Sequence, residues 1–173
     1  MRPDSMTAPP KVTFFYPKLS VYGASVSGRA GNGVLSLEGA HYDSHQDRGG
    51  SDFKVPNSQT RLLVGYQFQP VEDLSLGFQY YTEYMHDYGA YRAALPAGFP
   101  AEKQRSHVFT ARVTQLARHQ TLRLSAYASY NTVNGDYFVN PELRYSFTDR
   151  IWGAIGANLF GGEPWGQFGQ LSR

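Results

Sequence analysis

Cysteine is absent from the 173 residues. That removes disulfides, zinc–thiolate centres and thiol nucleophiles together. Strong charge of either sign is absent too. The formal net charge of +2 gives no field that would draw the chain to nucleic acid. Lysine is scarce, at positions 11, 18, 54 and 103 only, although soluble surfaces usually mix Lys and Glu freely. No apolar run approaches the roughly 18 residues of a membrane-crossing helix, and no apolar 3.6-residue period is sustained. These two absences exclude helical spans but not a membrane β-barrel, whose strands alternate apolar and polar residues and so look soluble on average. The opening MRPDSMTAPPKV carries no apolar h-region. An exported protein needs such a leader, so we expect it to have been removed or the chain to be a piece of a longer one.

What is present is period-2 alternation. In TRLLVGYQFQPVEDLSLGFQYYTEY, residues 60–84, Leu62, Val64, Tyr66, Phe68, Leu74, Leu76, Phe78 and Tyr80 fall on every second position. The same texture recurs as eight expected strands, at 18–28, 33–43, 60–69, 74–85, 106–116, 121–131, 137–147 and 151–160. Most run to about ten residues, longer than the usual 5–6 of soluble sheets and matching the roughly 9–11 that a tilted strand needs to cross a bilayer. Their connections alternate. RAGN, PVED, ARHQ and TDR are short turns, while SHQDRGGSDFKVPNS and HDYGAYRAALPAGFPAEKQ are long loops and TVNGD is the shortest of that second kind. In an up-and-down meander this places turns at one end and loops at the other, as in outer-membrane barrels.

Splitting the strands by parity gives two unlike faces. The polar face is expected to hold Lys18, Glu38, Arg61, Glu83, Arg112, Arg123, Glu142 and Arg144. The apolar face, with Leu37, Leu62, Val64, Phe78, Phe109, Val113, Leu124, Leu143 and Ile155, is expected to hold no Asp, Glu, Lys or Arg within the strands. An Arg or Lys facing lipid at the midplane costs about 2–4 kcal/mol. A lipocalin-like soluble barrel also alternates, with the apolar face inward. Three features favour lipid over a core. Tyr66, Phe68 and Phe147 stand near the turns and Tyr80, Tyr84 and Tyr130 toward the loops, as two aromatic belts. The loops are asymmetric, and the polar face is rich in Ser, Thr, Asn, Gln and Tyr. A turn at 71–73 would set Arg61 opposite Glu83, Tyr66 opposite Phe78 and Val64 opposite Tyr80, whereas a two-residue shift would set Arg61 opposite Tyr81 and leave Glu83 to other partners. A turn at 148–150 would put Tyr145 over Gly153.

The expected organisation is a polar N-terminal segment, 1–17, an antiparallel β-meander, 18–160, and a loop, 161–173, leading to a further strand. Both ends of the meander fall on the loop side, whereas bacterial single-chain barrels keep their termini on the turn side. At least one further strand is therefore expected at each end.

LSVYGASVSGRAGNGVLSLEGAHYDS, TRLLVGYQFQPVEDLSLGFQYYTEY and IWGAIGANLFGGEPWGQFGQLSR together resemble a family of large Gram-negative outer-membrane, porin-like β-barrels, loosely akin to alginate-export barrels. The likeness covers roughly residues 17–173 and lies in strand texture and in Gly, Glu and aromatic positions. It implies transport or permeability in the cell outer membrane.

Chemistry-bearing clusters are few. Asp43, His45 and Asp47 in DSHQD alternate along a loop and could meet a divalent cation, but a solvated polar loop accounts for them without a full ligand set. His86 and Asp87 adjoin at a strand–loop junction without a second acidic pair, and His41, His107 and His119 are dispersed. No nucleophile motif or phosphate loop occurs. We assign no catalytic residue, metal or cofactor. The pore-lining candidates are Glu38, Arg61, Glu83, Arg112, Arg123, Glu142 and Arg144, read as rows of opposed charge that set selectivity or as charge pairs that simply fill a lumen. The expected fold is an all-β, antiparallel up-and-down transmembrane β-barrel with about eight strands present. The expected function is a channel or export pore for small polar or anionic solutes. The expected partners are membrane lipid, that solute and the barrel-assembly machinery, with no nucleic acid. The alternatives are a non-channel barrel for surface binding or adhesion, contacting partners through 44–58 and 86–105, and a soluble lipocalin-like binder of apolar ligands.

Overall fold

Alternation of this kind does not bury a face by itself; it requires neighbours in register. The computed structural model describes residues 16–164 and 166–171, so expectations that concern residues 1–15 lie outside the described residues. Nine strands form one antiparallel sheet: β1 (Leu19–Ala30), β2 (Gly33–Ser44), β3 (Gln59–Val71), β4 (Leu74–Met85), β5 (Arg105–Ala117), β6 (Leu122–Asn131), β7 (Tyr137–Ser146), β8 (Trp152–Gly156) and β9 (Leu159–Gly161). The order β1 to β8 follows the chain, an up-and-down meander, and β9 also pairs with β7. The sheet does not close: β1 and β8 are its two edges.

Each expected strand lies within two residues of an observed one, apart from the last. There the pairing stops at Glu142–Gly156 and resumes at Val139–Leu159 in the same register. The interruption falls opposite Pro141, which has no N–H to give the ladder. Asn140 Nδ2 bridges it instead, donating to the Ala157 carbonyl at 3.1 Å and to Asn158 Oδ1 at 2.7 Å.

The opening hairpin pairs Arg61 with Glu83, Val64 with Tyr80 and Tyr66 with Phe78. Its turn is tighter than expected, Glu72–Asp73, because a register shift between Phe68 and Val71 takes up a residue. Asp73 adopts a φ of 63° there. Tyr145 stands opposite Gly153, but the ring atom closest to the missing Cβ of Gly153 belongs to Phe147, at 3.5 Å. The β5–β6 turn places three consecutive non-glycine residues, Arg118, His119 and Gln120, at φ of 51–66°, a conformation that L-residues adopt at a cost.

The long connections are structured. Residues 86–104 contain a helix the sequence reading did not find, α1 (Tyr88–Ala94), too short to show an apolar period. Tyr91 on it is buried, and its hydroxyl accepts the Glu102 amide at 3.1 Å. Phe53 and Phe99 meet edge-on at 5.9 Å across the two long loops. Asn57 Nδ2 donates to the His86 carbonyl at 2.9 Å. Among the described residues the buried hydrophobic side chains are Val55, Met85 and Tyr91, all at this loop end. Residues 166–168 lie back against the sheet, and Gly169–Leu171 forms a single 3₁₀ turn.

Candidate functional site

Directly opposed strand residues share a face, so the ladder sorts the charged positions. Glu38 opposes Leu63, two residues from Arg61. Arg61 opposes Glu83, Gly77 opposes Arg112 and Arg112 opposes Tyr127. Arg123 opposes Arg144, with Ser125 opposite Glu142. Glu38, Arg61, Glu83, Arg112, Arg123, Glu142 and Arg144 therefore stand on one face. Lys18 precedes β1 on the other parity, that of Tyr22 and Val26, because Ser25 is the residue paired with Glu38.

The face divides into two halves. Toward the loops, Arg61 Nε lies 2.9 Å from Glu83 Oε1, and its guanidinium also donates to Gln59 Oε1 at 2.9 Å. The Tyr42 ring lies 4.2 Å under the same guanidinium, and the Tyr81 hydroxyl donates to Glu83. Both charges are about a third exposed, 34% and 32%, so each needs these partners to offset the water it has lost.

Toward the turns, the expected opposition of Arg to Glu does not form. Arg123 and Arg144 face each other, because the register puts Glu142 two pairs further along, opposite Ser125. Aromatic rings take the place of carboxylates. The Arg144 guanidinium lies 4.0 Å over Trp152 and that of Arg112 5.8 Å over Tyr127, a contact that leaves the positive charge uncompensated. Among the described residues Arg61–Glu83 is the one ion pair on this face. Between the halves lies a hollow of about 310 Å³ that includes Glu38, Gln67, Gln79, Thr110, Arg112 and Tyr127. It opens where Gly65 and Gly77 carry no side chain.

Tyr42, Gln59, Tyr81, Tyr127 and Trp152 complete this surface and were not among the sequence candidates. Parity placed the tyrosines there, and attention to charge alone passed over them. An aromatic stack was also missed. Phe138 and Phe160 lie at 5.1 Å, and Phe168 stacks on Phe138 at 5.5 Å. Phe138 and Phe160 share the parity of Glu142, so residues 166–168 lie over the polar face. The buried Asp136 fixes them there by accepting the Gln167 amide at 2.8 Å. Phe168 comes from beyond the last alternating run, where no strand pattern points to it.

The opposite face carries the apolar residues and both aromatic belts. On the turn side Tyr66 stacks on Phe68 at 5.4 Å and donates its hydroxyl to the Ala30 carbonyl at 2.9 Å. On the loop side Tyr80 and Tyr84 are joined by histidines. His86 Nε2 lies 2.8 Å from Thr60 Oγ1, and His107 Nδ1 lies 2.9 Å from the Tyr80 hydroxyl. This face is not free of charge within the strands, as the sequence reading expected. Asp43 is the last but one residue of β2, already inside the expected 33–43, and Arg105 is added because β5 begins one residue before the expected 106. There Arg48 reaches Asp43 at 3.2 Å and Arg105 lies 5.4 Å over the Tyr84 ring.

In the loops, Asp43 and His45 share Arg48, whose Nη2 lies 3.4 Å from His45 Nδ1, while Asp47 has partners of its own. Asp43 holds Arg48, His45 Nε2 is 2.6 Å from Ser20 Oγ, and Asp47 receives the Asp52 amide and the Ser51 hydroxyl. Backbone donation, first from Asp52 and then from Ser51, holds the Asp47 carboxyl below its ordinary pKa. Asp87 sits at the start of α1 with a φ of 51° and makes no side-chain cap. His119 stands in the β5–β6 turn. Searches against protein-family models, curated proteins and solved structures find no match for this chain.

Proposed function

We propose that this chain builds part of the wall of an outer-membrane β-barrel of the porin-like type that its sequence resembles. The apolar face meets lipid, and the face from Arg61 to Arg144 lines a water-filled lumen for small polar or anionic solutes. Further strands meet the open edges of β1 and β8. The observation that carries this reading is an apolar face as exposed as the charged one, on which Glu38, Arg112 and Arg123 are also exposed. Leu62, Phe78 and Ile155 are 52%, 50% and 72% exposed, while Arg61 and Glu83 on the other face are about a third exposed. Water disfavours such a surface and lipid favours it. The same exposure weighs against a lipocalin-like binder, which turns its apolar face inward. The uncompensated Arg112, Arg123 and Arg144 favour anions in the lumen. The partners under this reading are lipid, the solute and the barrel-assembly machinery. No nucleic-acid contact or catalytic step is part of it.

Planar-bilayer recording of the complete barrel that contains this chain tests it. Stepwise conductance with anion preference is expected, and Arg112→Gln, Arg123→Gln and Arg144→Gln together should abolish the preference. A bilayer that stays sealed would end the channel reading. The ordered loop end favours a second reading, a sealed barrel that binds partners through 44–58 and 86–105, with Phe53 and Phe99 packed between those segments. Surface binding with no conductance would select it.

A further inference from the structure

The apolar face is not evenly filled. Ala111 and Ala128 oppose each other across β5 and β6. Larger side chains, Phe78, Tyr80, Phe109 and Tyr130, surround these two small ones, leaving an apolar hollow of about 440 Å³. The hollow has a polar upper end. The Tyr80 hydroxyl in its wall is 2.9 Å from His107 Nδ1, and the two rings stack at 6.0 Å. Thr82 Oγ1 approaches the same nitrogen at 3.1 Å. Two residues further along β5 stands Arg105. It is exposed, lies over Tyr84 and makes no ion pair among the described residues. Along one strand, then, follow an apolar hollow, a histidine already oriented by hydroxyl groups, and an unpaired cation.

We propose that this surface seats one lipid in a fixed pose, with an acyl chain in the Ala111–Ala128 hollow and the headgroup phosphate at Arg105 and His107. The proposal rests on the reading that the apolar face meets lipid. Charge order argues for a phosphate-bearing lipid rather than a neutral one: the positive group lies at the belt, where a headgroup sits, and the hollow lies below it. A free phosphate would leave the hollow empty. A protein partner would be expected to bring a carboxylate to Arg105, and a carboxylate-bearing helix has no counterpart to a flexible chain that follows a hollow between strands.

The complete barrel that contains this chain is refolded into phosphatidylcholine vesicles doped with phosphatidylglycerol, its insertion is scored by protease protection, and retained lipids are identified by native mass spectrometry after detergent extraction. One phosphatidylglycerol should be retained in preference to phosphatidylcholine. Arg105→Gln should lower that preference about fivefold, the factor a single basic residue contributes at an anionic surface. Ala111→Phe, which fills the hollow, should abolish retention of either lipid. Neither variant should alter insertion. If the complete wild-type barrel inserts but retains no lipid, or retains phosphatidylglycerol equally in both variants, the lipid site is wrong and the membrane reading stands. If the complete wild-type barrel fails to insert, both are wrong. Retention of inorganic phosphate in place of phosphatidylglycerol would reduce the site to its cation and overturn the acyl-chain seat.

Discussion

Met85, the last residue of β4, is 6% exposed, and Leu62 on the adjoining strand is 52% exposed. Both are apolar and both lie in long strands. The difference is cover. At the loop end, residues 45–58 and 86–104 fold onto the strand ends and onto each other, so Val55, Met85 and Tyr91 are enclosed by the chain itself. Along the strands nothing among the described residues covers Leu62, Val64 or Phe78. The loop end has its own local core, whereas the apolar face of the strand body gains no such burial from the described residues. The largest expected effect tests the first half of this contrast. Tyr91→Ala removes a buried aromatic side chain and its bond to the Glu102 amide, and should cost about 3–5 kcal/mol of loop-end stability. Amide exchange at Val55 and His86 should accelerate sharply while β5 and β6 keep their protection. Equal loss of protection in the strands would mean the two regions are one cooperative unit.

The second half is tested on adjacent residues. Val64→Arg places a cation on the apolar face and should lower folding stability in lipid vesicles by about 2–4 kcal/mol, whereas Leu63→Arg, on the polar face, should cost much less. Urea titration of both variants in the same vesicles gives the comparison. Equal losses would mean that parity does not decide which face meets lipid.

Much of this was legible because period-2 alternation determines side-chain facing directly. Once Leu62, Val64 and Tyr66 share a face, Arg61 and Gln67 must share the other, and a short turn leaves few registers. The 61–83, 64–80 and 66–78 pairs follow from that. Three things were not legible. Which charges pair depends on shifts of one or two residues between strands, and alternation does not fix those beyond the hairpin. Arg123 therefore meets Arg144 rather than Glu142. Loop structure has no period to read, so α1 and the contact between Phe53 and Phe99 were invisible. The break in the last strand was signalled, by Pro141 in the facing strand, but only to a reader who already knew which strand faces it.

The ion pair gives a third, smaller test within the polar face. Arg61→Gln leaves Glu83 about a third exposed, with Tyr81 as its remaining donor, and should cost about 1–2 kcal/mol, between the values for exposed and buried pairs. Glu83→Gln should cost about the same, and the double variant less than the two added together, since each single change already breaks the pair. Arg144→Gln, whose charge lies over Trp152 with no carboxylate partner, should leave stability nearly unchanged. A cost for Arg144→Gln equal to that for Arg61→Gln would remove the distinction between a paired loop half and an unpaired turn half.

The smallest effect lies at Asp47, in the loop that supplies Val55 to the local core. Its folded pKa is lowered chiefly by the Asp52 backbone amide, with Ser51 next. A carboxyl lowered in the folded state contributes stability above its ordinary pKa and loses that contribution as pH falls through the lower, folded value. Acidification should therefore leave the 47–52 turn intact through the usual carboxylate range and loosen it only below that range. The Asp52 amide reports this directly: its proton chemical shift should titrate with a midpoint below that of an unstructured Asp, and the titration should vanish in Asp47→Asn. Because Asp47 is exposed, the loosening should be confined to the turn and should leave Val55 covered. A concerted loss of Val55 and Tyr91 protection over the same pH interval would show that this surface turn, and not the apolar contacts beneath it, holds the loop end together.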